Sequence, residues 1–463
     1  MERVLIRETS TKPGESVKVC GWVWGRRNHG QIIFIDLKDA SGIIQCVFAP
    51  NSNAEIYKIA ETLRTGWVVE ITGAVTQRPS GMVNPDLATG KIELQAEDLT
   101  VLNESLTPPF ALDTDGLEVS EEIRMKYRYL DLRRARLQKN LRLRHRVIQF
   151  MRDWLTQREF VEIETPIISK STPEGARDYV VPSHQQPGKF YALPQSPQQY
   201  KQLLMVAGFE KYFQIARCFR DEDTRGDRQP EFTQLDIEMS FVNQNDILEL
   251  IEKLYTDIIE KLFPEKHISQ KPFPRLTYKE VMEKYGNDKP DLRKNKDDPN
   301  ELAFAFVLDW PMFEKKDDGS LGAMHHPFTL PKTTDIAEIK KNPRSIISYQ
   351  HDFVLNGYEV GGGSIRTHQP ELLEAVFEVL GHTKEEIKNQ FGHLLEAFKY
   401  GVPPHGGIAP GIDRFIMLIQ NEPNIREVFA FPKTGDGRDL MMNAPSEISE
   451  EQLKELGLSV KKK

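Results

Sequence analysis

Two arginine residues, Arg220 and Arg414, stand in sequence contexts suited to binding phosphate. Arginine is permanently charged, and its planar guanidinium group donates paired hydrogen bonds that match phosphate oxygens. Arg220 opens a charged stretch between apolar residues, whereas Arg414 follows a glycine-rich run and precedes the apolar Phe415 and Ile416. Because the two arginines lie far apart in the sequence, we expect the fold to bring them together around the two ends of a nucleotide.

The segments around these arginines predict the elements that position them. Residues 219–241 have the pattern of a strand, a charged loop and a second strand, and residues 411–419 have helical apolar spacing. A single charged loop is usually a solvated turn. Both segments together, in this order and with these flanks, favour a nucleotide site instead.

The two segments resemble motifs 2 and 3 of the class II aminoacyl-tRNA synthetases, at about residues 213–241 and 406–419. Motif 1 is then the amphipathic stretch at about 146–166, which ends in Thr165-Pro166. In that family motif 1 builds the dimer interface. The resemblance therefore implies a homodimer.

The first 105 residues have the pattern of short strands separated by turns, with one helix. The predicted strands are 17–23, 32–37, 43–48, 67–75 and 91–102, and the predicted helix is 54–63. Five strands with a helix between the third and fourth are typical of an OB-fold, a barrel that binds oligonucleotides. The strand pattern alone fits an unspecified small barrel equally well.

The predicted fold class is α+β, with an N-terminal OB-fold β-barrel followed by a class II synthetase catalytic domain built on an antiparallel sheet. Residues 107–110 (TPPF) break the strand pattern and mark a boundary. We expect an anticodon-binding domain at 1–105, a hinge at 106–135 and the catalytic domain at 136–463.

The composition is that of a water-soluble globular protein, with 39% hydrophobic and 28% charged residues and a net charge of −8. No apolar run approaches the roughly 20 residues that cross a bilayer, and the N-terminus lacks the apolar core of a signal peptide. Three scattered residues, Cys20, Cys46 and Cys218, exclude a disulfide framework or a zinc site. We therefore expect a reduced, cytoplasmic enzyme with no membrane partner.

The negative net charge hides a basic band at residues 121–159, which holds 12 Lys or Arg against 5 Asp or Glu. Such a band is the electrostatic footprint of a nucleic-acid phosphate backbone. A solvated helix with internal ion pairs has the same composition. Charge alone does not separate the two interpretations.

An OB-fold before a class II core resembles subclass IIb, which holds the aspartyl, asparaginyl and lysyl enzymes. Four strings narrow the resemblance to bacterial-type aspartyl-tRNA synthetases over nearly the whole chain. They are residues 171–179 (STPEGARDY), 195–201 (QSPQQYK), 323–328 (AMHHPF) and 361–366 (GGGSIR). The cations in these strings suit an aspartate substrate, whereas a lysine substrate needs the opposite charge.

The resemblance implies an amino-acid site in which Lys201 and Arg366 bind the substrate's side-chain carboxylate with His325 close by. Asp236, together with Glu174 from a closing loop, receives the α-ammonium group. The implied aspartate-binding residues are Glu174, Gln198, Lys201, Arg220, Asp236, His325 and Arg366. Lys201 as a helix-surface residue and His326 as part of a structural pair remain open alternatives.

The resemblance also implies that ATP is a substrate and that Mg²⁺ accompanies it. The implied ATP-binding residues are Arg220, Asp221, Glu222, Gln229, Phe232, Glu359, Gly411, Ile412, Asp413 and Arg414. Arg220 and Arg414 are the catalytic pair, and Asp352 and Glu359 are the Mg²⁺ ligands. Mg²⁺ usually takes one or two carboxylates plus phosphate oxygens. Asp352 and Glu359 also alternate with apolar residues, so the solvated face of a strand is a second interpretation.

The implied reaction is a two-step acyl transfer through an aspartyl-adenylate. We find no Ser-His-Asp or Cys-His arrangement, so catalysis depends on positioning and on electrostatic stabilisation. Anticodon reading falls to the barrel, where aromatic stacking and base-edge hydrogen bonds recognise single-stranded loops. The implied anticodon residues are Arg27, His29, Phe34, Gln45, Gly81 and Glu93. For Phe34, a place in the barrel core is the alternative.

The chain departs from the bacterial family in two places. Residues 286–304 form a short connector where relatives carry a large domain between motifs 2 and 3. His29 and Gly81 are similar to the forms found in relaxed relatives that also aspartylate tRNA(Asn). We therefore expect tRNA(Asp) and tRNA(Asn) as partners, together with L-aspartate and a tRNA-dependent amidotransferase.

Three rival functions remain at this stage. An asparaginyl- or lysyl-tRNA synthetase has the same architecture, and a non-catalytic tRNA-binding paralogue has the same barrel. The paralogue is disfavoured because Arg220, Glu222, Arg366 and Arg414 are all present. An ATP-dependent amide-forming ligase on the same core has no use for an anticodon barrel.

Overall fold

The computed structural model describes residues 1–171 and 175–461 and divides the chain into two compact units, Met1–Leu112 and Asp113–Lys463. The division falls a few residues beyond the Thr-Pro-Pro-Phe sequence at 107–110. Within the described residues, no helix is both long and apolar enough to cross a membrane.

The first unit is a closed five-stranded barrel. Its elements are β1 (Ser16–His29), β2 (Ile32–Lys38), β3 (Ile43–Phe48), α1 (Ala54–Thr62), β4 (Val68–Gln77) and β5 (Ile92–Asn103). The strand order around the barrel is β1-β2-β3-β5-β4, with β3 and β5 parallel and the other pairs antiparallel. The predicted OB-fold is confirmed.

Strict alternation of side chains builds this barrel. Every second residue of β2, from Ile33 to Leu37, is buried, and the intervening residues face outward. The α1 helix begins after Asn53, whose side chain accepts hydrogen bonds from the backbone N–H groups of Glu55 and Ile56. The apolar face of the helix packs against the same core.

The second unit contains the remaining helices and strands. Its N-terminal half comprises α2 (Glu121–Lys126), α3 (Arg128–Asp131), α4 (Ala135–Thr156), β6 (Val161–Glu162), β7 (Val180–Pro182), β8 (Phe190–Ala192), α5 (Gln198–Val206), β9 (Lys211–Phe219), β10 (Glu231–Ser240) and α6 (Gln244–Leu262). The next elements are β11 (His267–Ile268), β12 (Arg275–Thr277), α7 (Tyr278–Tyr285), β13 (Glu301–Leu302), β14 (Phe304–Leu308), β15 (Phe313–Lys315) and β16 (Leu321–Ala323). The last are α8 (Ile336–Lys341), β17 (Gln350–Leu355), β18 (Tyr358–Ile365), α9 (Pro370–Val379), α10 (Lys384–Phe398), β19 (His405–Pro410), α11 (Ile412–Ile419) and α12 (Glu450–Glu455).

An eight-stranded sheet is the centre of this unit, in the order β12-β14-β17-β18-β19-β10-β9-β6. The six inner strands are antiparallel, as predicted, whereas β12 and β6 pair in parallel at the two edges. Helices α4, α6 and α11 supply buried residues to the core on the sheet. The sheet is therefore mixed only at its margins, and its antiparallel centre holds the site described below.

The short connector at 286–304 folds back onto one glutamate. Glu301 accepts hydrogen bonds from the backbone N–H groups of Lys294 and Asn295, at 2.9 and 2.8 Å, and from Ser269 Oγ at 2.7 Å. These donors hold the pKa of Glu301 down at about 2. One buried carboxylate thus fixes the loop.

Much of the basic band at 121–159 is an internal ion-pair network. Arg124, Arg128 and Arg134 all donate to the carboxylate of Asp131, at 2.6 to 3.2 Å, and all four side chains are buried. Arg124 also donates to Glu427 Oε2 at 2.6 Å. For these arginines the interpretation as internal ion pairs is right, and a nucleic-acid footprint is excluded by their burial.

Candidate active site

A cleft of about 330 Å³ opens over the centre of the sheet. Its walls come from strands β10, β17, β18 and β19, from the loop between β9 and β10, and from the first turns of α5 and α11. Thirteen of the predicted site residues line it: Gln198, Lys201, Arg220, Glu222, Gln229, Phe232, Asp236, His325, Glu359, Arg366, Gly411, Asp413 and Arg414. Residues from motif 2 and motif 3 therefore meet in one place.

Glycines on two neighbouring strands let the floor of the cleft pack tightly. A Cβ atom on Gly363 in β18 would lie 2.2 Å from the carbonyl oxygen of Gly407 in β19. A Cβ atom on Gly407 would lie 2.0 Å from the carbonyl oxygen of Ile237 and 2.2 Å from Glu238 Oε2. Only glycine fits at these positions, and beside Gly407 the space is occupied by the Glu238 carboxylate.

Two buried cations and two buried carboxylates lie side by side at the bottom of the cleft. Lys201 Nζ is 2.6 Å from Asp236 Oδ1 and 3.2 Å from Glu238 Oε2. Arg366 binds Glu238 through two hydrogen bonds of 2.9 and 3.0 Å. All four residues are at most 1% exposed. The formal charges balance, which a buried cluster requires.

The pKa values of the two carboxylates are shifted in opposite directions. Burial raises the pKa of Asp236 above its ordinary value, and Lys201 only partly offsets this. Burial also acts on Glu238, but Arg366 and Lys201 together lower the pKa of that group to about 2. Asp236 Oδ2 is buried and has no hydrogen-bond partner among the described residues. The cluster therefore presents one incompletely satisfied carboxylate oxygen.

Arg220 lies at the end of β9 with its guanidinium 5.0 Å from the centre of the Phe232 ring. Its Nε atom is buried and finds no hydrogen-bond partner in the part of the chain that the structure describes. A buried donor without a partner costs free energy. This arginine is thus arranged for a group that the polypeptide does not supply, next to an aromatic face suited to stacking.

Arg414 lines the same cleft from the first turn of α11. Its guanidinium donates to the carbonyl oxygen of Glu359 and, at 3.1 Å, to Asp227 Oδ2. The Nε atom of Arg414 is also buried without a partner among residues 1–171 and 175–461. Arg220 and Arg414 therefore line the same cleft, and each has one buried N–H donor without a partner in the described chain.

Two carboxylates, Asp352 and Glu359, converge above Gly362. A Cβ atom on Gly362 would lie 3.3 Å from Asp352 Oδ1 and 3.6 Å from Glu359 Oε1. Burial and the neighbouring Asp352 raise the pKa of Glu359. Burial alone would lower the pKa of His325, but Asp352, whose Oδ2 is 3.2 Å from His325 Nε2, raises it. This corner of the cleft concentrates negative charge.

Several predicted residues lie apart from the lining or are already paired. Asp221 and Asp352 are outside the lining, as is Ile412, whose side chain is in the hydrophobic core. Asp413 lines the cleft, but its carboxylate binds Arg144 and the backbone N–H of Thr233. Glu174 lies outside the described residues.

The predicted ATP ligand Gln229 is also occupied. Its side-chain amide makes paired hydrogen bonds with the backbone of Lys433: Gln229 Nε2 donates to the carbonyl oxygen at 3.1 Å, and Gln229 Oε1 accepts from the N–H at 2.7 Å. In this structure Gln229 therefore fastens the segment around Lys433 to the loop between β9 and β10.

Sequence reasoning missed residues that act through other side chains. Glu238 lies two positions after Asp236 on β10, so both point to the same face. That spacing is a signal that points to Glu238. His326 accepts a hydrogen bond of 2.9 Å from Arg366 Nη1, which gives this histidine a direct place in the cluster. Asp227 and Gln350 have no comparable signal in the sequence.

The predicted anticodon residues lie on the outer face of the barrel. Phe34 is half-buried between the core residues Ile33 and Ile35, so it points outward. Arg27 donates to Gln45 Oε1 at 3.2 Å, and Gln45 Nε2 donates to Glu93 Oε2 at 3.0 Å. The core position considered for Phe34 is therefore wrong.

The two predicted specificity residues are both solvent-exposed. His29 ends β1, and Gly81 lies in a short 3-10 helix, Ser80–Met82. A Cβ atom added to Gly81 would meet no other atom within 4 Å. Neither residue is required by the packing of the barrel.

Comparison with known proteins identifies the class. Residues 120–435 match the family model described as tRNA synthetases class II (D, K and N), and residues 17–102 match the OB-fold nucleic acid binding domain. The first match covers more than half of the chain. The chain therefore belongs to the class II tRNA synthetases of the D, K and N group.

Similar curated proteins include an aspartate–tRNA(Asp/Asn) ligase of Rubrobacter xylanophilus, 43% identical over 571 positions that cover 96% of this chain and 95% of the relative. An aspartate–tRNA ligase of Staphylococcus aureus is 41% identical and covers 97% of each chain. Since this chain has 463 residues, more than 100 of the 571 positions in the first alignment have no counterpart here. The chain is therefore shorter inside the matched region, consistent with a reduced connector.

Solved structures share the fold at lower identity. An asparaginyl-tRNA synthetase from Pyrococcus horikoshii complexed with asparaginyl-adenylate has a TM-score of 0.76 at 22% identity, covering 94% of this chain and 98% of that one. An aspartyl-tRNA synthetase from Entamoeba histolytica has a TM-score of 0.74 at 23% identity, covering 93% and 91%. Both confirm the predicted architecture.

Proposed function

We propose that this protein attaches L-aspartate to tRNA(Asp) and also to tRNA(Asn), using ATP and passing through an aspartyl-adenylate. The observation that carries the amino-acid choice is the pair of buried cations, Lys201 and Arg366, at the bottom of the cleft. Relatives more than 40% identical are named aspartate–tRNA ligases. A lysine and an arginine side chain suit a substrate with a side-chain carboxylate, and they oppose a lysine substrate.

The charge balance of the cluster supports a defined orientation of the substrate. Lys201 and Arg366 are held in place by Asp236 and Glu238 before any substrate arrives, so the cations need little rearrangement. The substrate side-chain carboxylate binds the outward-facing donors of these cations. Its α-ammonium binds Asp236, whose Oδ2 has no partner within the described chain.

ATP lies along the cleft between Arg220 and Arg414. Adenine stacks on Phe232, and the unmet Nε donors of the two arginines meet phosphate oxygens. Asp221, Glu222, Gln229, Gly411, Ile412 and Asp413 remain predicted to contribute to this site. For Gln229, Ile412 and Asp413 the contribution is the shape of the surrounding backbone, since their side chains are engaged elsewhere.

The residues around Gly362 fit Mg²⁺ bound together with ATP. Two carboxylate oxygens, from Asp352 and Glu359, surround one small space, which matches the one or two protein ligands that Mg²⁺ takes beside phosphates. No cluster of three or more potential ligands occurs among the described residues. The two carboxylates therefore fit a Mg²⁺ ion that takes its remaining ligands from the ATP phosphates better than an ion held by the protein alone. Bound there, Mg²⁺ would neutralise phosphate charge.

The reaction needs no protein nucleophile. An α-carboxylate oxygen of aspartate attacks the α-phosphorus of ATP, the bond to the bridging oxygen breaks, and pyrophosphate leaves. The terminal ribose hydroxyl of tRNA then attacks the acyl carbon, and AMP leaves. Arg220 stabilises the charge of the first step, and Arg414 holds the phosphate chain in line.

The barrel supplies the anticodon site, with Phe34 available for stacking and the Arg27–Gln45–Glu93 chain for base edges. His29 and Gly81 are exposed on the barrel and are similar to the forms found in relaxed relatives. We infer relaxed specificity from them, which requires an amidotransferase downstream to convert the aspartate on tRNA(Asn).

The motif 1 region supports a homodimer. Val161, Ile167 and Ile168 follow α4 and are 44%, 41% and 53% exposed, which is unusual for neighbouring apolar side chains. A second copy of the chain would bury them. The enzyme is expected in the cytoplasm, where its substrates are.

The first experiment is aspartylation of purified tRNA(Asp) and tRNA(Asn) transcripts in parallel, with pyrophosphate exchange driven by aspartate, asparagine or lysine. Charging of both transcripts, with exchange strongest for aspartate, supports the full proposal. Charging of tRNA(Asp) alone would contradict the relaxed tRNA specificity that we infer from His29 and Gly81. Exchange that is strongest with asparagine or lysine would overturn the aspartate assignment.

A further inference from the structure

A chain of three buried side chains runs from the core of the catalytic unit to the cleft. His405 Nδ1 is 2.8 Å from the carbonyl oxygen of Pro403, and His405 Nε2 is 3.1 Å from Gln202 Nε2. Gln202 Oε1 accepts a hydrogen bond of 3.1 Å from Gln198 Nε2. Gln202 and His405 are fully buried, and Gln198 lines the cleft.

The direction of every hydrogen bond in this chain is fixed by its first member. A backbone carbonyl can only accept, so His405 must carry its proton on Nδ1. Burial lowers the pKa of His405 to about 4, so the ring is neutral near pH 7 and its Nε2 is an acceptor. Gln202 must then donate through its nitrogen to His405, which turns its oxygen towards Gln198.

The same logic fixes the last amide. Gln198 must use its nitrogen to donate to Gln202, and its carbonyl oxygen is left as the free end of the chain. Lys201 lies one helical turn further along α5 and binds Asp236, so Gln198 and Asp236 border the same part of the cleft.

We propose that Gln202 and His405 are positioning residues that orient the Gln198 amide with its oxygen towards the substrate's α-ammonium group. The inference rests on the proposed function, since it takes aspartate as the substrate. Gln198 and Asp236 together then form an acceptor pair for one ammonium group. If the amide were reversed, an N–H would face the positive charge and weaken binding.

The test uses two substitutions of Gln202 in the full-length enzyme, with aspartate-dependent pyrophosphate exchange as the assay. Gln202→Met fills the same space but cannot accept from Gln198, so the KM for aspartate should rise about tenfold. Gln202→Glu keeps an acceptor oxygen towards Gln198 and should stay closer to the parent. The KM for ATP should be unchanged in both, because the chain does not reach the ATP site.

Succinate, which is aspartate without its ammonium group, separates orientation from general damage. As a competitive inhibitor it should bind the parent and Gln202→Met equally well. Weaker binding of both aspartate and succinate would show a distorted pocket and overturn the proposal. So would an unchanged KM for aspartate.

A second matched pair guards against failure of the Gln202 variants to fold. His405→Gln supplies a new acceptor for Gln202, whereas His405→Leu is of similar size and supplies none. The aspartate KM should rise in His405→Leu and recover in His405→Gln, again with constant succinate inhibition. Equal values in the pair would refute the relay. Absence of aspartate-dependent exchange in the parent would instead refute the proposed function.

Discussion

Arg220 and Glu238 illustrate two kinds of residue in the cleft. Arg220 has a buried N–H donor without a partner and no ion pair among the described residues. Its side chain is therefore available to bind a ligand. Glu238 is completely buried and satisfied by Lys201 and Arg366, so it acts on the cations and has no direct role in the reaction. Substitution of the two residues should therefore affect different observables.

Arg220→Ala should lower aspartate-dependent pyrophosphate exchange by about 100- to 1,000-fold, because one preorganised donor to the developing phosphate charge is lost. The thermal midpoint should change little, since no folded-state partner is left unpaired. Arg217→Ala, three residues earlier in β9 and paired at the surface with Glu231, is the matched control and should keep its exchange rate. A near-parent rate for Arg220→Ala would contradict the catalytic assignment.

Glu238→Gln should destabilise the folded protein by about 3 to 5 kcal/mol at pH 7, because two buried cations lose part of their compensation. The pKa of Glu238 falls from 4.5 to about 2 on folding, so its stabilisation is complete above pH 4.5 and disappears as the pH falls towards 2. The difference in unfolding free energy between parent and variant should shrink over that interval. Urea titrations at several pH values measure it.

The control is Glu231→Gln on the same strand, whose partners Arg217 and Lys433 are both in contact with solvent. An exposed pair contributes about 0 to 1 kcal/mol. Equal losses in the two variants, or a difference that does not depend on pH, would show that Glu238 is not the charged centre of the cluster.

At the residue scale, the sequence predicted which side chains line the cleft better than it predicted how those side chains pair with one another. Lys201, Asp236 and Arg366 could be predicted because their motifs carry them. The role of Glu238 could not, because it arises from pairing with Arg366, 128 positions later in the chain. A partner at that distance becomes visible only when β10 and β18 lie on either side of β19.

Among the elements, helices α2 to α4 were the least predictable from composition. Their arginines looked equally suited to a phosphate backbone and to internal pairing. Three of them converge on the single carboxylate of Asp131, with no exposed surface on that residue. Composition gives the number of charges but not their burial, and burial decides whether the arginines can contact a phosphate backbone or only pair internally.

Asp131→Asn should therefore destabilise the catalytic unit by more than about 3 kcal/mol, since it leaves three buried guanidinium groups with a neutral partner. The measurement is urea-induced unfolding followed by circular dichroism. Asp153→Asn, on the exposed face of α4, is the matched control and should stay within about 0.5 kcal/mol of the parent. A small effect at Asp131 would mean that the network adds little to stability.

The strands of the main sheet were easier to predict than its edges. The strand–loop–strand pattern at 219–241 predicts β9 and β10. The glycine run at 361–363 has no such alternation, yet it lies in β18, where close packing against β19 excludes any side chain. The parallel strands β12 and β6 are only three and two residues long. Segments that short carry no periodicity, so the mixed margins of the sheet could not be predicted.

At the scale of the whole molecule, each unit has a hydrophobic core of its own. The reaction cleft belongs entirely to the second unit, and the predicted anticodon residues belong entirely to the first. Adenylate formation and tRNA selection are therefore assigned to separate cores.

A variant that begins at Asp113 should keep aspartate-dependent pyrophosphate exchange close to the parent rate but lose most of its tRNA charging. Exchange needs only the cleft, whereas charging at low tRNA concentration needs the barrel. Both activities are measured on the same preparation, with circular dichroism to check folding. Loss of exchange in a folded variant would show that the barrel is needed for amino-acid activation.

The ion-pair network of α2 to α4 also bears on how the protein is made. Arg124 and Arg136 are synthesised about 300 residues before Glu427, the carboxylate that neutralises them. Domains usually fold as units while the ribosome proceeds. In a nascent chain that has not yet reached Glu422 and Glu427, Arg124 has only Asp131 as a partner and Arg136 has neither of its two carboxylates, so the network of these helices is incomplete. The barrel can fold early on the ribosome, but the catalytic unit must wait for nearly its whole length.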